Sequence, residues 1–259
     1  MDNIKIWLPL LLAFLAGLFT LLGSLVCFLV RDLKKSYLEF SLGLSAGVMI
    51  YIAFVELLTS SIRNIGFLKA NMSFFGGIIL IMFLDFVIPH EYIDEHIQRT
   101  GGDKKIMKAG IFIAIGLAIH NFPEGLAVFM SSMVNIKLGI SLAVAIALHN
   151  IPEGVAIAMP IFYATKSRRK AFWYSSLSGI AEPIGAIVGM LVLMPFLKSN
   201  VLSYCLAAIA GIMVFISFDE LLPLSCENKK SHVTILGIIL GMLMIFPRKS
   251  GHNEELVLA

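Results

Sequence analysis

The sequence predicts an all-α membrane protein, with eight transmembrane helices in a 3+2+3 inverted-repeat bundle. Three observations predict it. Apolar residues make up 58% of the chain and charged residues 14%, against roughly 25% charged in a soluble domain. Apolar runs recur along the whole length, and most approach the roughly 20 residues that an α-helix needs to cross a bilayer. Two internal repeats are present, and each pairs segments that cross the membrane in opposite directions.

The apolar runs fall at about 6–30, 38–62, 68–89, 106–134, 137–164, 171–197, 201–224 and 232–246. The first is too long for a signal-peptide core and is read as a retained helix. Seven are long enough to span. The eighth, Ser231 to Phe246, is short against the usual span of about 17–25 residues. No Ser- or Pro-rich linker interrupts the series, so residues 1–259 read as one membrane domain. The longest hydrophilic connection, about 89–105, separates helices 3 and 4. Loops after helices 1, 3, 5 and 7 carry 13 of the 20 Lys and Arg residues. Cytoplasmic loops are enriched in these residues. The odd-numbered loops are therefore expected inside, with both termini outside and the chain multi-pass in the plasma membrane.

The first repeat aligns Gly43–Leu58 with Ala207–Leu222 without gaps. Ala46, Gly47, Met49, Ile52, Phe54, Glu56, Leu57 and Leu58 match Ala210, Gly211, Met213, Ile216, Phe218, Glu220, Leu221 and Leu222. Helix 2 runs outward and helix 7 inward, so helices 1–3 and 6–8 form inverted halves around helices 4 and 5. Secondary transporters place their binding sites at such a symmetry centre.

The second repeat carries the chemistry. His120-Asn121-Phe122-Pro123-Glu124-Gly125 recurs as His149-Asn150-Ile151-Pro152-Glu153-Gly154 inside apolar helices 4 and 5. Ionisable side chains at membrane depth are costly and mark ion or substrate paths. His and Glu at i and i+4 share one helix face, and Asn at i+1 is rotated by about 100°. Each proline removes the N–H that would bond the carbonyl of Ile119 or Leu148. Imidazole, carboxylate and amide groups together make a metal-ligand set, a richer one than helix packing alone requires. Glu182 is the only acidic residue of the sixth span and is expected as a further ligand. Glu56 near the outer end of helix 2, and Asp219 with Glu220 near the inner end of helix 7, are expected at the entrance and exit.

Several classes are excluded or disfavoured. A net charge of +3 with no basic, aromatic-interleaved stripe gives no nucleic-acid surface. Cys27, Cys205 and Cys226 are scattered and form no thiolate site. His90 to His96 reads as a solvated charged face. The Gly185/Gly189 and Gly237/Gly241 pairs fit close helix packing, within the bundle or across a homodimer. A membrane zinc hydrolase would want three protein ligands, an open water position and a placed base, yet HExxH is absent. A proton-linked antiporter of another cation remains the rival transporter.

These motifs, with Gly179-Ile180-Ala181-Glu182 and Phe218-Asp219-Glu220-Leu221-Leu222-Pro223, resemble the ZIP (Zrt/Irt-like) family of divalent-metal transporters, and its bacterial members most closely. The resemblance spans essentially the whole chain. It implies eight helices, outside termini and import of Zn²⁺ and related cations such as Fe²⁺ and Mn²⁺, carried as substrate with no prosthetic group. It further implies that His120, Glu124, His149 and Glu153 hold one ion. Asn121, Asn150 and Glu182 would complete a second, with Glu124 and Glu153 bridging.

Overall fold

The computed structural model describes residues 4–29, 35–87, 103–193, 199–225 and 232–245. It is helical throughout, with no strand among the described residues. We number its helical rods α1 (Ile4–Leu29), α2 (35–65), α3 (Phe67–Val87), α4 (Asp103–Val134), α5 (Ile136–Thr165), α6 (168–193), α7 (199–225) and α8 (His232–Ile245). They correspond one to one with the eight apolar runs. Several begin before the apolar residues do, as at Lys35 and Arg168, because backbone hydrogen bonding extends through polar flanks.

The tight corners have local causes. Between α4 and α5 only Asn135 intervenes. Its backbone is extended (φ −153°), and its side chain accepts from the N–H groups of Lys137 at 2.9 Å and Leu138 at 3.4 Å. That is the usual Asn N-cap device. Gly66 joins α2 to α3 at φ 84°, a conformation glycine adopts without steric cost. After α5, Lys166 takes a left-handed φ of 52° and Ser167 caps α6 through the Lys170 N–H.

Among the described residues three rods contain a wide, π-helical turn: Ala53–Leu58 in α2, Gly189–Leu193 in α6 and Ser217–Leu221 in α7. The turns in α2 and α7 fall at aligned positions of the first repeat. The rod α6 also breaks at Ile180. Pro183 has no N–H to give the Gly179 carbonyl, so the helix restarts there.

Five segments are both long and apolar enough to cross a membrane: Ile6–Leu25, Glu39–Ile65, Ile136–Met159, Arg168–Val192 and Asn200–Asp219. These five are counted among the described residues alone. Two further apolar helices, Phe67–Phe83 and His232–Ile245, are shorter among the described residues. The side chains of residues 103–117 in α4, and the whole of residues 88–102 with His90 and His96, lie outside the described residues.

Helices α4 and α5 pack against each other. Helix α1 lies on α5 and α6 lies on α4, while α8 lies on α2 and α7 on α3. Glycines make these approaches close. A Cβ on Gly154 would sit 2.0 Å from the Thr20 carbonyl oxygen of α1, and one on Gly125 would sit 1.9 Å from the Glu182 carbonyl oxygen of α6. Gly23 in turn faces the Ile151 carbonyl, and Gly185 the Phe122 carbonyl. Helices α1 and α6 touch through Gly17 and Gly179. The Gly185/Gly189 pair packs on α4 and the Gly237/Gly241 pair on α2. Both glycine pairs therefore serve the bundle, which removes the sequence support for a homodimer.

Large apolar side chains such as Phe67, Phe83, Phe86 and Leu191 project from the outer surface. In a membrane protein such faces meet lipid, so their exposure costs nothing there.

Candidate metal centre

The prolines do not end their helices. Both α4 and α5 run continuously through Pro123 and Pro152, and each hexapeptide stays helical. The i, i+4 geometry is therefore intact, and the facing of α4 on α5 brings the two copies together. His149 Nε2 lies 3.0 Å from Glu124 Oε1, across the two copies. Glu124, His149 and Glu153 each offer a donor atom within 4.8 Å of the others, and all three are buried. The Ser45 hydroxyl of α2 donates to Glu153 Oε1 at 3.2 Å.

The asparagines serve a second purpose. Asn150 Nδ2 donates to the Ala16 carbonyl of α1 at 3.0 Å, and also to the Glu182 carboxylate of α6. Asn121 Nδ2 donates to the Ser178 carbonyl of α6 at 3.4 Å. Each amide thus ties its own helix to a neighbour through the nitrogen. The oxygen Oδ1 of Asn150 is buried with no hydrogen-bond partner among the described residues, which leaves a neutral oxygen donor in the centre.

The structure brings together Glu124, His149 and Glu153 directly, and joins Asn150 to Glu182. All of Asn121, Asn150, Glu124, Glu153, His149 and Glu182 are buried. The side chains of His120 and Glu220 lie outside the described residues. Glu56 is half-buried and Asp219 exposed, each on a wide turn, and neither joins the buried cluster.

Electrostatics decide what such a centre holds. Glu124, Glu153 and Glu182 are buried carboxylates, and no Lys or Arg is among the buried residues described. Buried charges are ordinarily paired or coordinate metals. An oxygen-rich set with one or more imidazoles and no thiolate suits Zn²⁺, Fe²⁺ and Mn²⁺.

Sequence reasoning missed Ser45, which donates to Glu153, and the buried Thr20. Ser45 aligns with Ile209 in the first repeat, so a polar residue against an apolar counterpart was the available signal. Thr20 lies in Gly17-x-x-Thr20-x-x-Gly23, which matches Gly179-x-x-Glu182-x-x-Gly185 without gaps.

Residues 88–247 match the family described as ZIP Zinc transporter. A protein named Zinc transporter ZupT from Chlorobium phaeovibrioides is 49% identical over 251 residues, covering 91% of this chain and 94% of that protein. Its namesake from Oceanobacillus iheyensis is 48% identical over 263 residues, covering 95% and 97%. That of Streptococcus mutans is 46% identical over 247 residues, covering 91% and 94%.

Proposed function

This chain belongs to the ZIP zinc transporter family, and on that premise we propose that it imports Zn²⁺ into the cytoplasm, with Fe²⁺ and Mn²⁺ as further cargo. It is a transporter and not an enzyme. The observation that carries the reading is the buried Glu124–His149–Glu153 cluster, built from both hexapeptides. One ion is held by His120, Glu124, His149 and Glu153. A second is held by Asn121, Asn150 and Glu182, with Glu124 and Glu153 shared. Neutral amide oxygens and few charges keep affinity moderate, which lets a carrier release its cargo.

Residues 1–259 act as one membrane domain with 3+2+3 inverted-repeat architecture. The paired contacts of α1 on α5 and α6 on α4, and of α8 on α2 and α7 on α3, support that arrangement. The chain is multi-pass in the plasma membrane with both termini outside.

The direct test is flux. Purified protein in liposomes should take up Zn²⁺ while Na⁺ placed beside it does not enter. Sodium flux without zinc flux would overturn the reading in favour of another cation's antiporter.

Orientation has its own test. In a background without Cys27, Cys205 and Cys226, cysteine at Glu56 should react with an impermeant thiol reagent from outside. Cysteine at Asp219 should react only from the cytoplasm. Labelling of both from one side would overturn the topology.

Selectivity rests on the amides. Asn121→Asp adds a carboxylate and so should change the ratio of Zn²⁺ to Mn²⁺ transport, read by competition. It also removes the donor to the Ser178 carbonyl, a loss of about 1 kcal/mol. A modest fall in melting temperature should accompany the altered ratio. Superimposable competition profiles of variant and parent would show that this amide does not set selectivity.

A further inference from the structure

Glu182 has a counterpart. Gly17, Thr20 and Gly23 of α1 stand in the same order and spacing as Gly179, Glu182 and Gly185 of α6. The contacts repeat as well. The Thr20 carbonyl meets Gly154 of α5 where the Glu182 carbonyl meets Gly125 of α4. Gly23 meets the Ile151 carbonyl where Gly185 meets the Phe122 carbonyl. Asn150 bonds the Ala16 carbonyl where Asn121 bonds the Ser178 carbonyl. Ala16 and Ser178 each precede the first glycine of their heptapeptide by one residue. Every pairing exchanges α1 with α6 and α5 with α4.

Within this correspondence the two central side chains differ in chemistry. Glu182 accepts from Asn150. Thr20 is fully buried, and its Oγ1 has no hydrogen-bond partner among the described residues. Its side chain lies against Gly179, where a Cβ would be 3.3 Å from Oγ1. Gly179 follows Ser178, the residue whose carbonyl holds Asn121. The hydroxyl therefore faces α6 beside the residue that holds Asn121, and by the correspondence above it takes the place on α1 that Glu182 takes on α6. A buried hydroxyl without a partner is destabilising, a cost removed when a cation or its hydration water takes the oxygen.

We propose that the Thr20 hydroxyl is the fourth corner of the second cation position, the neutral counterpart of Glu182, and that its neutrality limits how tightly cargo is held. The proposal rests on the reading of this centre as the cation site. With Glu124, Glu153 and Glu182 the centre carries three negative charges against four positive ones on two divalent ions. A fourth carboxylate would balance the loaded site and slow release.

The test measures zinc uptake by the full chain in liposomes, as half-saturation concentration and maximal rate. Thr20→Val keeps the shape and removes the hydroxyl. It should raise the zinc half-saturation concentration about tenfold, the scale seen when a group supporting a metal site is lost. Thr20→Ser should restore what Thr20→Val loses. A packing role predicts the reverse order, with valine the better replacement, and that result would overturn the proposal.

The exchange Thr20→Glu with Glu182→Thr moves the carboxylate across the centre. It should recover uptake that Glu182→Thr alone loses. A double variant no better than Glu182→Thr would overturn the correspondence, and this pair decides alone should Thr20→Val fail to insert. If Glu182→Thr itself transports like the parent, the second cation position falls, and the proposal with it. Zinc flux in the parent still tests the transport reading separately.

Discussion

Glu153→Ala, and separately His149→Ala, should cut zinc uptake to less than about a tenth of the parent's while the protein still reaches the membrane. Losses of 10–100-fold already follow removal of groups that merely support metal ligands, and these two are placed to bind the ion. Each variant also strips a partner from a buried group: His149 faces Glu124 at 3.0 Å, and Glu153 accepts from Ser45 at 3.2 Å. Leaving the buried Glu124 carboxylate without its imidazole costs several kcal/mol and leaving the Ser45 hydroxyl without its acceptor about 1–3 kcal/mol, so some loss of stability should accompany the loss of uptake. Membrane fractionation with isotope uptake separates the two effects. Near-normal uptake by both variants would remove this cluster from the transport path.

Gly125→Ala and Gly154→Ala should be nearly as damaging, although neither glycine offers a ligand. In an exposed helix, alanine for glycine gains about 1 kcal/mol. Here the added methyl would lie 1.9 Å from the Glu182 carbonyl oxygen or 2.0 Å from that of Thr20, both backbone atoms that cannot rotate away. Overpacking of this kind costs about 1–3 kcal/mol or more, so packing outweighs propensity. The helices must part, and Gly125→Ala then pulls Glu182 away from Asn150. At least a tenfold fall in uptake and a lower melting temperature in detergent are expected. Gly76→Ala, where a Cβ meets nothing within 4 Å, should transport like the parent. Equal behaviour of all three alanine variants would dismiss close packing as the reason for these glycines.

The two hexapeptides were legible because ionisable residues in apolar helices are conspicuous, and their i, i+4 spacing fixes a shared face. The cluster of Glu124, His149 and Glu153 follows from that spacing once α4 faces α5. What Asn121 and Asn150 bind was not legible. Beside the Glu182 carboxylate that Asn150 also meets, their partners are backbone carbonyls of Ser178 and Ala16, and a carbonyl has no residue-type signature. Thr20 escaped notice because a threonine in a helix can bond its own backbone, so it does not look costly in an apolar run. The wide turns were invisible for a related reason, since no composition marks an i to i+5 hydrogen bond. The glycine pairs announced close packing but not which helix they approach, so a dimer and the bundle read alike until Phe122, Leu126, Phe40 and Leu44 were seen against them.

The wide turns of α2 and α7 also bear on register. A turn closed from i to i+5 holds one residue more than an α-helical turn. Such an extra residue rotates everything beyond it by about 100°. The identities before the turn, Ala46 with Ala210 through Ile52 with Ile216, keep the same offset as those within it, Phe54 with Phe218 through Leu57 with Leu221. An insertion gained by one copy alone would have broken that register. The widened turn therefore sits in one register in both copies, each with its glutamate, and neither copy has gained a residue relative to the other between Ala46 and Leu58.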